Sequence, residues 1–235
     1  MKTILSIAWM LAWAGALPAQ ISTRVERLPR GLEQIQVRND SKADLVALVE
    51  RAKQLPRSPQ EPSGPSLIFF DALEGDWDAL APGEERTLKK LPEPAGRRVF
   101  EEPIMAAGIF SDGTTAGDPE LLRLLMAYRG NRLAAIETAL DTLTEAGRGN
   151  VPRDQLVAQF KKMADAARRW YVPEEQRGAA SVYESIVSKL VNLPVDEPGT
   201  AFPPDGFVRD EAAILSRERA TLLAARPSLR EGLAR

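Results

Sequence analysis

The sequence predicts an α+β protein in which a small antiparallel β-sandwich is followed by a helical hairpin or small bundle. Short apolar segments separated by Pro and Gly turns fill the chain up to about residue 117. Heptad-like apolar stripes follow from residue 118, and no helical pattern is interleaved with the strands. Strands that come first and helices that come afterwards favour an antiparallel sheet over a parallel one.

The first 19 residues have the layout of a secretory signal peptide, with a positive charge at Lys2, an apolar run over residues 4–16 and a break at Pro18. This run of about 13 residues is shorter than the roughly 20 that a spanning helix needs. We therefore expect cleavage after Ala19, with Ala16 as the alternative. The mature chain is expected in the periplasm or outside the cell.

The composition excludes several kinds of chemistry, because the 235 residues include neither Cys nor His. Without Cys there is no disulfide, no thiolate and no acceptor for a lipid, so we expect no membrane anchor after signal cleavage. Without His there is no Ser-His-Asp triad and no His-based zinc site. A chain of this size that is exported without Cys fits a bacterial envelope. Its 31 basic and 33 acidic residues are interspersed, which argues against a nucleic-acid partner.

In the first half, residues 20–33 are expected to form an extended lead-in. Ile35 and Val37 alternate with polar residues as in a half-buried strand, and residues 39–41 predict a turn. Residues 44–51 suit either a strand or a helix. We favour the strand, because a second run directly after a turn predicts a hairpin.

Further strands are predicted where apolar runs lie between Pro and Gly. Residues 56–65 contain four prolines and are expected to form a loop or an extended edge. Strands are predicted at residues 67–70, at 86–91 and finally at 99–110, with a possible bulge at Gly108.

The second half begins with the clearest local signal of the mature chain. Asp118 can cap a helix, Pro119 suits the first helical position, and Glu120 favours the positive end of the helix dipole. The first helix is predicted to end near Ala146. Its apolar stripe, which Arg129 interrupts, consists of Leu122, Met126, Leu133, Ile136, Leu140 and Leu143.

Three more helices are predicted, over residues 152–171, 173–193 and 210–225, with a proline-rich linker at 194–206. The sequence thus divides into a signal peptide (1–19), a β-sandwich domain (20–117) and a helical region (118–235).

Residues 39–41, the turn at residues 81–85 and the segment GIFSDGTTAGD at residues 108–118 together resemble a group of uncharacterised exported bacterial proteins. Proteins of that group join a small β-sandwich, immunoglobulin-like in architecture, to trailing helices. The resemblance covers about residues 33–130. It implies no known activity and no catalytic residues.

Acidic residues are the main candidates for chemistry in this composition. Asp71, Asp76 and Asp78 cluster near Trp77, but neither they nor Asp112 with Asp118 match a calcium-binding loop. Turn formation and helix capping explain these residues better. The adjacent pairs are expected to be solvated surface, because neighbouring residues rarely face each other. These pairs are Glu84 with Glu85, Glu101 with Glu102, and Glu174 with Glu175.

We therefore expect an exported, non-enzymatic binding or structural module, with no catalytic, cofactor or metal site assigned. Its expected partner is an envelope protein, or another copy of itself through the helical region. The alternative is a carboxylate-dependent hydrolase that acts on envelope glycan or peptide. For that activity Asp71, Asp76 and Asp112 are the acids to test first.

Overall fold

The computed structural model describes residues 20–29, 32–54, 64–73, 77–92, 100–149, 151–168, 177–193 and 205–224. Within these ranges the chain forms seven strands followed by four helices, which confirms the predicted α+β layout. The strands are β1 (Ile21–Leu28), β2 (Leu32–Asn39), β3 (Leu45–Gln54), β4 (Gly64–Asp71), β5 (Glu85–Pro92), β6 (Phe100–Phe110) and β7 (Thr115–Gly117). The helices are α1 (Pro119–Gly149), α2 (Arg153–Ala167), α3 (Arg177–Val191) and α4 (Asp205–Ala224).

The strands form two antiparallel sheets that face each other as a sandwich. The first sheet has the order β1-β2-β5, and the second has the order β4-β3-β6-β7. Side chains of both sheets share two apolar clusters: one contains Val37 and Leu48, and the other contains Ile35 and Ala52. The core of the sandwich therefore lies between β2 of the first sheet and β3 of the second.

The ambiguous segment after residue 44 is the strand β3, as we favoured, but the expected hairpin is wrong. β2 pairs with β1 and β5, whereas β3 pairs with β4 and β6. The side-chain amide of Asn39 donates to the carbonyl oxygens of Ala43 at 2.8 Å and Leu80 at 2.7 Å. Because these bonds bind the turn to the second sheet, the chain crosses between sheets there instead of closing a ladder.

The bulge expected at Gly108 lies on the neighbouring strand β3. The pairing of β3 with β6 shifts register between Leu45 and Ala47. An extra residue reverses the alternation of a strand, so Leu45 packs between the sheets while Ala47 packs toward α1. Gly108 instead leaves room for the side chain of Leu45, because a Cβ atom at residue 108 would lie 2.4 Å from Cδ1 of Leu45.

The other strand predictions differ from the structure mainly in length. β4 and β5 contain the strands predicted at 67–70 and 86–91. β1 is a full strand where only an extended lead-in was expected, and β6 runs continuously from Phe100 to Phe110. The signal-peptide segment 1–19 and most of the proline-rich segment 56–65 lie outside the described residues.

Helix α1 begins as predicted, because Asp118 caps it. The carboxylate Oδ1 of Asp118 accepts hydrogen bonds from the backbone amides of Glu120 at 3.0 Å and Leu121 at 2.9 Å. The helix ends at Gly149 rather than at Ala146. At the other end of the chain, α4 begins at Asp205, so the last two residues of the predicted linker 194–206 are helical.

Helix α1 belongs to two cores. Its first turns pack on the outer face of the second sheet, where Leu121 and Leu125 contact a cluster that includes Val49. Its later turns pack with α2, α3 and α4 around Ile136 and Leu143. The predicted stripe is correct at these two later positions. In the first turns Leu122 and Met126 are only partly buried, because the helix turns Leu121 and Leu125 to the sheet.

Candidate functional site

The first candidate acid, Asp71, is a buried partner of an arginine. It ends β4 on the face that packs against α1, and neither its side chain nor that of Arg129 exposes more than 8 % of its surface. The Nε atom of Arg129 donates to Oδ2 of Asp71 at 2.8 Å. The backbone amide of Leu73 donates to Oδ1 at 3.1 Å. Asp71 is therefore held as a carboxylate acceptor in a structural ion pair.

The acids at residues 112 and 118 shape the chain locally. Oδ1 of Asp112 accepts from the hydroxyl and the backbone amide of Thr114, at 2.6 Å and 2.9 Å. The hydroxyl bond is the largest cause that holds the pKa of Asp112 below its usual range. Asp118 caps α1, as described above. Asp78 is exposed, and Asp76 lies outside the described residues.

The adjacent acid pairs lie in turns and strands rather than in an acid and base arrangement. Glu84 accepts from the guanidinium of Arg86 and the backbone amide of Ala81, and these bonds lower its pKa. Glu85 pairs with Arg24, and Glu101 pairs with Lys53 across the second sheet. The pair at 174 and 175 lies outside the described residues.

A cluster that the sequence analysis did not single out lies one helical turn beyond Arg129. The guanidinium of Arg132 donates to Oγ of Ser181 on α3 at 2.8 Å and to the carbonyl oxygen of Leu73 at 3.1 Å. It also donates to Oε2 of Glu218 on α4 at 3.0 Å. Only 5 % of the Arg132 side chain is exposed. This one side chain thus connects α1, α3, α4 and the end of the second sheet.

A second ion pair lies beside it. The ammonium group of Lys189 on α3 donates to both carboxylate oxygens of Glu211 on α4, at 2.8 Å and 2.9 Å. Glu211 exposes only 3 % of its side chain. Both oxygens of the Glu211 carboxylate bind Lys189, so the two side chains form a bidentate ion pair between α3 and α4.

These two pairs line a cleft of about 230 Å³ between α1, α3 and α4. We call it the α4 cleft. It is lined by Leu73, Arg132, Ser181, Val182, Ser185, Lys189, Glu211, Leu215 and Glu218. The cations come from α1 and α3, and both carboxylates come from α4. The charged side chains of the cleft are therefore paired within the protein: Arg132 binds Glu218, and Lys189 binds Glu211.

Another buried acid, Glu50, lies in the centre of β3. Alternation along the strand puts it on the same face as Leu48 and Ala52, between the two sheets. Its side chain is fully buried, and neither oxygen has a hydrogen-bond partner among the described residues. Burial raises the pKa of Glu50 to about 7, against a smaller opposing effect of Lys89 on β5. Below pH 7 Glu50 is therefore mainly a neutral carboxyl group in a core position.

The sequence held only indirect signals for these residues. Arg132 follows Arg129 by one helical turn, and two arginines on one stripe of an apolar helix indicate buried partners. Glu50 occupies an inward position of a predicted strand. The partners themselves are distant in sequence, and no local pattern identifies them.

Neither a membrane-spanning helix nor a metal site is found in the part of the chain that the structure describes. No described helix is both long and apolar enough to cross a membrane. No group of three or more acidic side chains in the described ranges could hold a metal ion. In comparisons with family models, with curated proteins and with solved structures, the chain matches none.

Proposed function

We propose that this chain is an exported, non-enzymatic binding or structural module that contacts another component of a bacterial envelope. The single observation that carries the proposal is the state of Asp71, which binds Arg129 in a buried ion pair. A carboxylate engaged in this way is neither a nucleophile nor a general base. The location in the envelope is inferred from the layout of residues 1–19.

Two further acids support the same conclusion. Asp112 completes a turn with Thr114, and Asp118 caps α1. Glycoside hydrolysis by two carboxylates needs both groups on one cleft, roughly 5 to 10 Å apart. Asp71 is instead buried in an ion pair with Arg129, whereas Asp112 is exposed in a turn with Thr114.

The test is to assay the mature chain, starting at Gln20, on envelope glycan and on peptide substrates. We expect no turnover above that of a heat-denatured sample. In parallel, cross-linking in the native envelope is expected to yield the same partner in independent preparations.

The matched variants for this test are Asp76→Asn and Asp112→Asn, with Asp78→Asn as a control at an exposed position. Turnover that is reproducible and lost in one of the first two variants would establish the hydrolase instead.

A further inference from the structure

We propose that two copies of this chain associate through the free edge of strand β4, so that their second sheets join into one continuous antiparallel sheet. We call this edge the β4 edge; it is formed by the outward backbone groups of Leu67 and Phe69. The contact lies on the sheet and not on the helical region, where self-association was expected from the sequence. The proposal goes beyond the proposed function and does not depend on it.

β4 is an edge strand without charge. It lies at one end of the second sheet, and among the described strands only β3 pairs with it. The strand Gly64–Asp71 carries no charged residue before its last position. Of the other edge strands, β1 carries Arg24 and Glu26, β5 carries Arg86 and Lys89, and β7 has only three residues. Charge and short length protect an edge strand from pairing with another chain, and β4 has neither.

The apolar run on this edge is partly exposed. Residues 67–70, with the sequence Leu-Ile-Phe-Phe, all lie partly open to solvent, whereas residues 47–49 of the neighbouring β3 are fully buried. The ladder between β3 and β4 has no shift of register over its eight pairs, so no bulge distorts the edge. A regular edge strand with exposed apolar side chains is suited to accept a further strand.

The hydrogen-bond pattern shows which backbone groups face the free edge. The amide of Ala72 donates to the carbonyl oxygen of Val46 at 3.0 Å, and this pair continues the register of the ladder between β3 and β4. Successive residues of an antiparallel strand direct their amides and carbonyls alternately to one side and to the other. The even-numbered residues of β4 therefore pair with β3, whereas Leu67 and Phe69 direct their backbone groups to the free edge.

The residues that flank these two specify the register of a second copy. Pro65 and Asp71 also face outward, but Pro65 has no amide and Asp71 is fully buried. In an antiparallel pair with a two-fold axis at Ile68, Leu67 of each copy lies opposite Phe69 of the other, and both amides find carbonyl oxygens. A shift in either direction puts Phe69 opposite Pro65 or Leu67 opposite Asp71. One register thus pairs all the accessible outward groups.

The side chains that meet across this axis fit the same register. Ile68 lies opposite its own copy, and Ser66 of one strand lies opposite Phe70 of the other. None of these side chains is charged, so no like charges oppose the pairing. A two-fold contact of this kind is also the commonest form of homo-oligomer. The chain itself therefore supplies the strand that the β4 edge accepts, which is extended, uncharged and matched in register.

The experiment tests this register with the variant Ile68→Cys of the mature chain, starting at Gln20. Because the natural chain has no Cys, the introduced thiol is unique. Residues opposite each other in a pair without hydrogen bonds have Cα atoms about 4.5 Å apart, which lies within the range of a disulfide. We expect mild oxidation to convert the variant mainly into a covalently linked pair of chains, as measured by electrophoresis without reductant.

The matched control is Leu67→Cys, one position along the same strand and also partly exposed. In the expected register its two copies lie diagonally, about 7–8 Å apart, beyond the usual reach of a disulfide. This variant is expected to remain mainly as single chains after oxidation. The proposal is overturned if Ile68→Cys is linked no more than Leu67→Cys.

A second measurement uses sedimentation at increasing concentration, in which the unmodified mature chain is expected to form a two-chain species. Leu67→Pro removes an outward amide from each copy and should raise the dissociation constant by about tenfold or more. Thr87→Pro is the control. By the same alternation its amide faces the free edge of β5, because the amide of Asn39 on β2 bonds to the carbonyl oxygen of Glu84.

The control variant should associate like the unmodified chain, and circular dichroism checks that both proline variants are folded. A single chain at every concentration, or an equal effect of the two proline variants, would also overturn the proposal. The two cysteine variants decide the question independently if Leu67→Pro does not fold. None of these measurements bears on hydrolytic activity or on an envelope partner, so the proposed function stands or fails separately.

Discussion

Asp71 at the end of β4 and Arg129 on α1 form a buried ion pair that joins the second sheet to the first helix. Next to it, the ring of Phe69 stacks on that of Tyr128 with centroids 4.5 Å apart. Breaking one partner of a buried pair costs about 3–5 kcal/mol, because the other charge stays buried alone. We therefore expect Asp71→Asn to lower the free energy of unfolding by about that amount, as measured by urea denaturation.

The double variant Asp71→Asn with Arg129→Met separates the charge effect from a loss of packing. It should recover much of the stability, since no uncompensated guanidinium remains. As a control, Glu101→Gln removes the half-exposed partner of Lys53 and should change stability by less than about 1 kcal/mol. If the single and double variants are equally unstable, the pair does not stabilise the fold in this way.

Glu50 makes stability depend on pH. Burial raises its pKa to about 7 from 4.5, so the folded protein keeps the carboxyl neutral over a range in which the unfolded chain loses its proton. Stability contributed by this group is complete below pH 4.5 and decreases as pH rises toward 7. At about 1.4 kcal/mol for each pKa unit, the loss amounts to roughly 3 kcal/mol.

The measurement is the free energy of unfolding of wild type and Glu50→Gln between pH 4 and 8. The variant should lack this decrease and should become more stable relative to wild type as pH rises. The charged group that acts on Glu50 in the fold is Lys89 on β5, and its effect is smaller than that of burial. Glu120→Gln, at an exposed acid, is the control. Parallel pH profiles for wild type and Glu50→Gln would contradict the prediction.

Gly117 and Gly113 form a matched pair for backbone conformation. Both have a positive φ, at 101° and 81°, which side chains rarely adopt. A Cβ atom at Gly117 would also lie 2.2 Å from the carbonyl oxygen of Ala106, whereas at Gly113 nothing lies within 4 Å. We expect Gly113→Ala to cost about 1 kcal/mol, and Gly117→Ala to cost about 3 kcal/mol. Thermal unfolding compares the two, and equal losses would show that the contact with Ala106 relaxes freely.

The cap of α1 is a further test. Replacing Asp118 by Ala removes the acceptor of two backbone amides and should cost about 1 kcal/mol. Asp141→Ala, at an exposed position inside the same helix, should stay within about 0.5 kcal/mol of wild type. Chemical denaturation of both variants checks this expectation. A loss in Asp141→Ala as large as that in Asp118→Ala would mean that capping is not the cause.

The sequence predicts best those elements whose signal lies within a few neighbouring residues. Asp118 and Pro119 specify the start of α1 within the chain itself, and the α+β order follows from the apolar patterns. The pairing of strands was predicted less well. The strand β3 is predicted correctly, but the hairpin with β2 that favoured it is wrong. The side chain of Asn39 bonds to Leu80, 41 residues away, and the chain passes to the other sheet at this point.

The charged clusters could not be predicted because their partners are distant in sequence. Asp71 and Arg129 are 58 residues apart, and Arg132 meets Glu218 across 86 residues. In the sequence Arg129 is only an interruption of a stripe, and Asp71 is one acid among several. Their joint role depends on the fold that brings them together.

Helix α1 has 31 residues and is therefore about 46 Å long. Its beginning is fixed to the second sheet through Leu121 and Leu125, and its end is fixed among the other helices through Leu143. Because one continuous helix contributes apolar side chains to both cores, loss of α1 would remove contacts from the sandwich and from the helices together. We therefore expect the two parts of the chain to unfold in one transition.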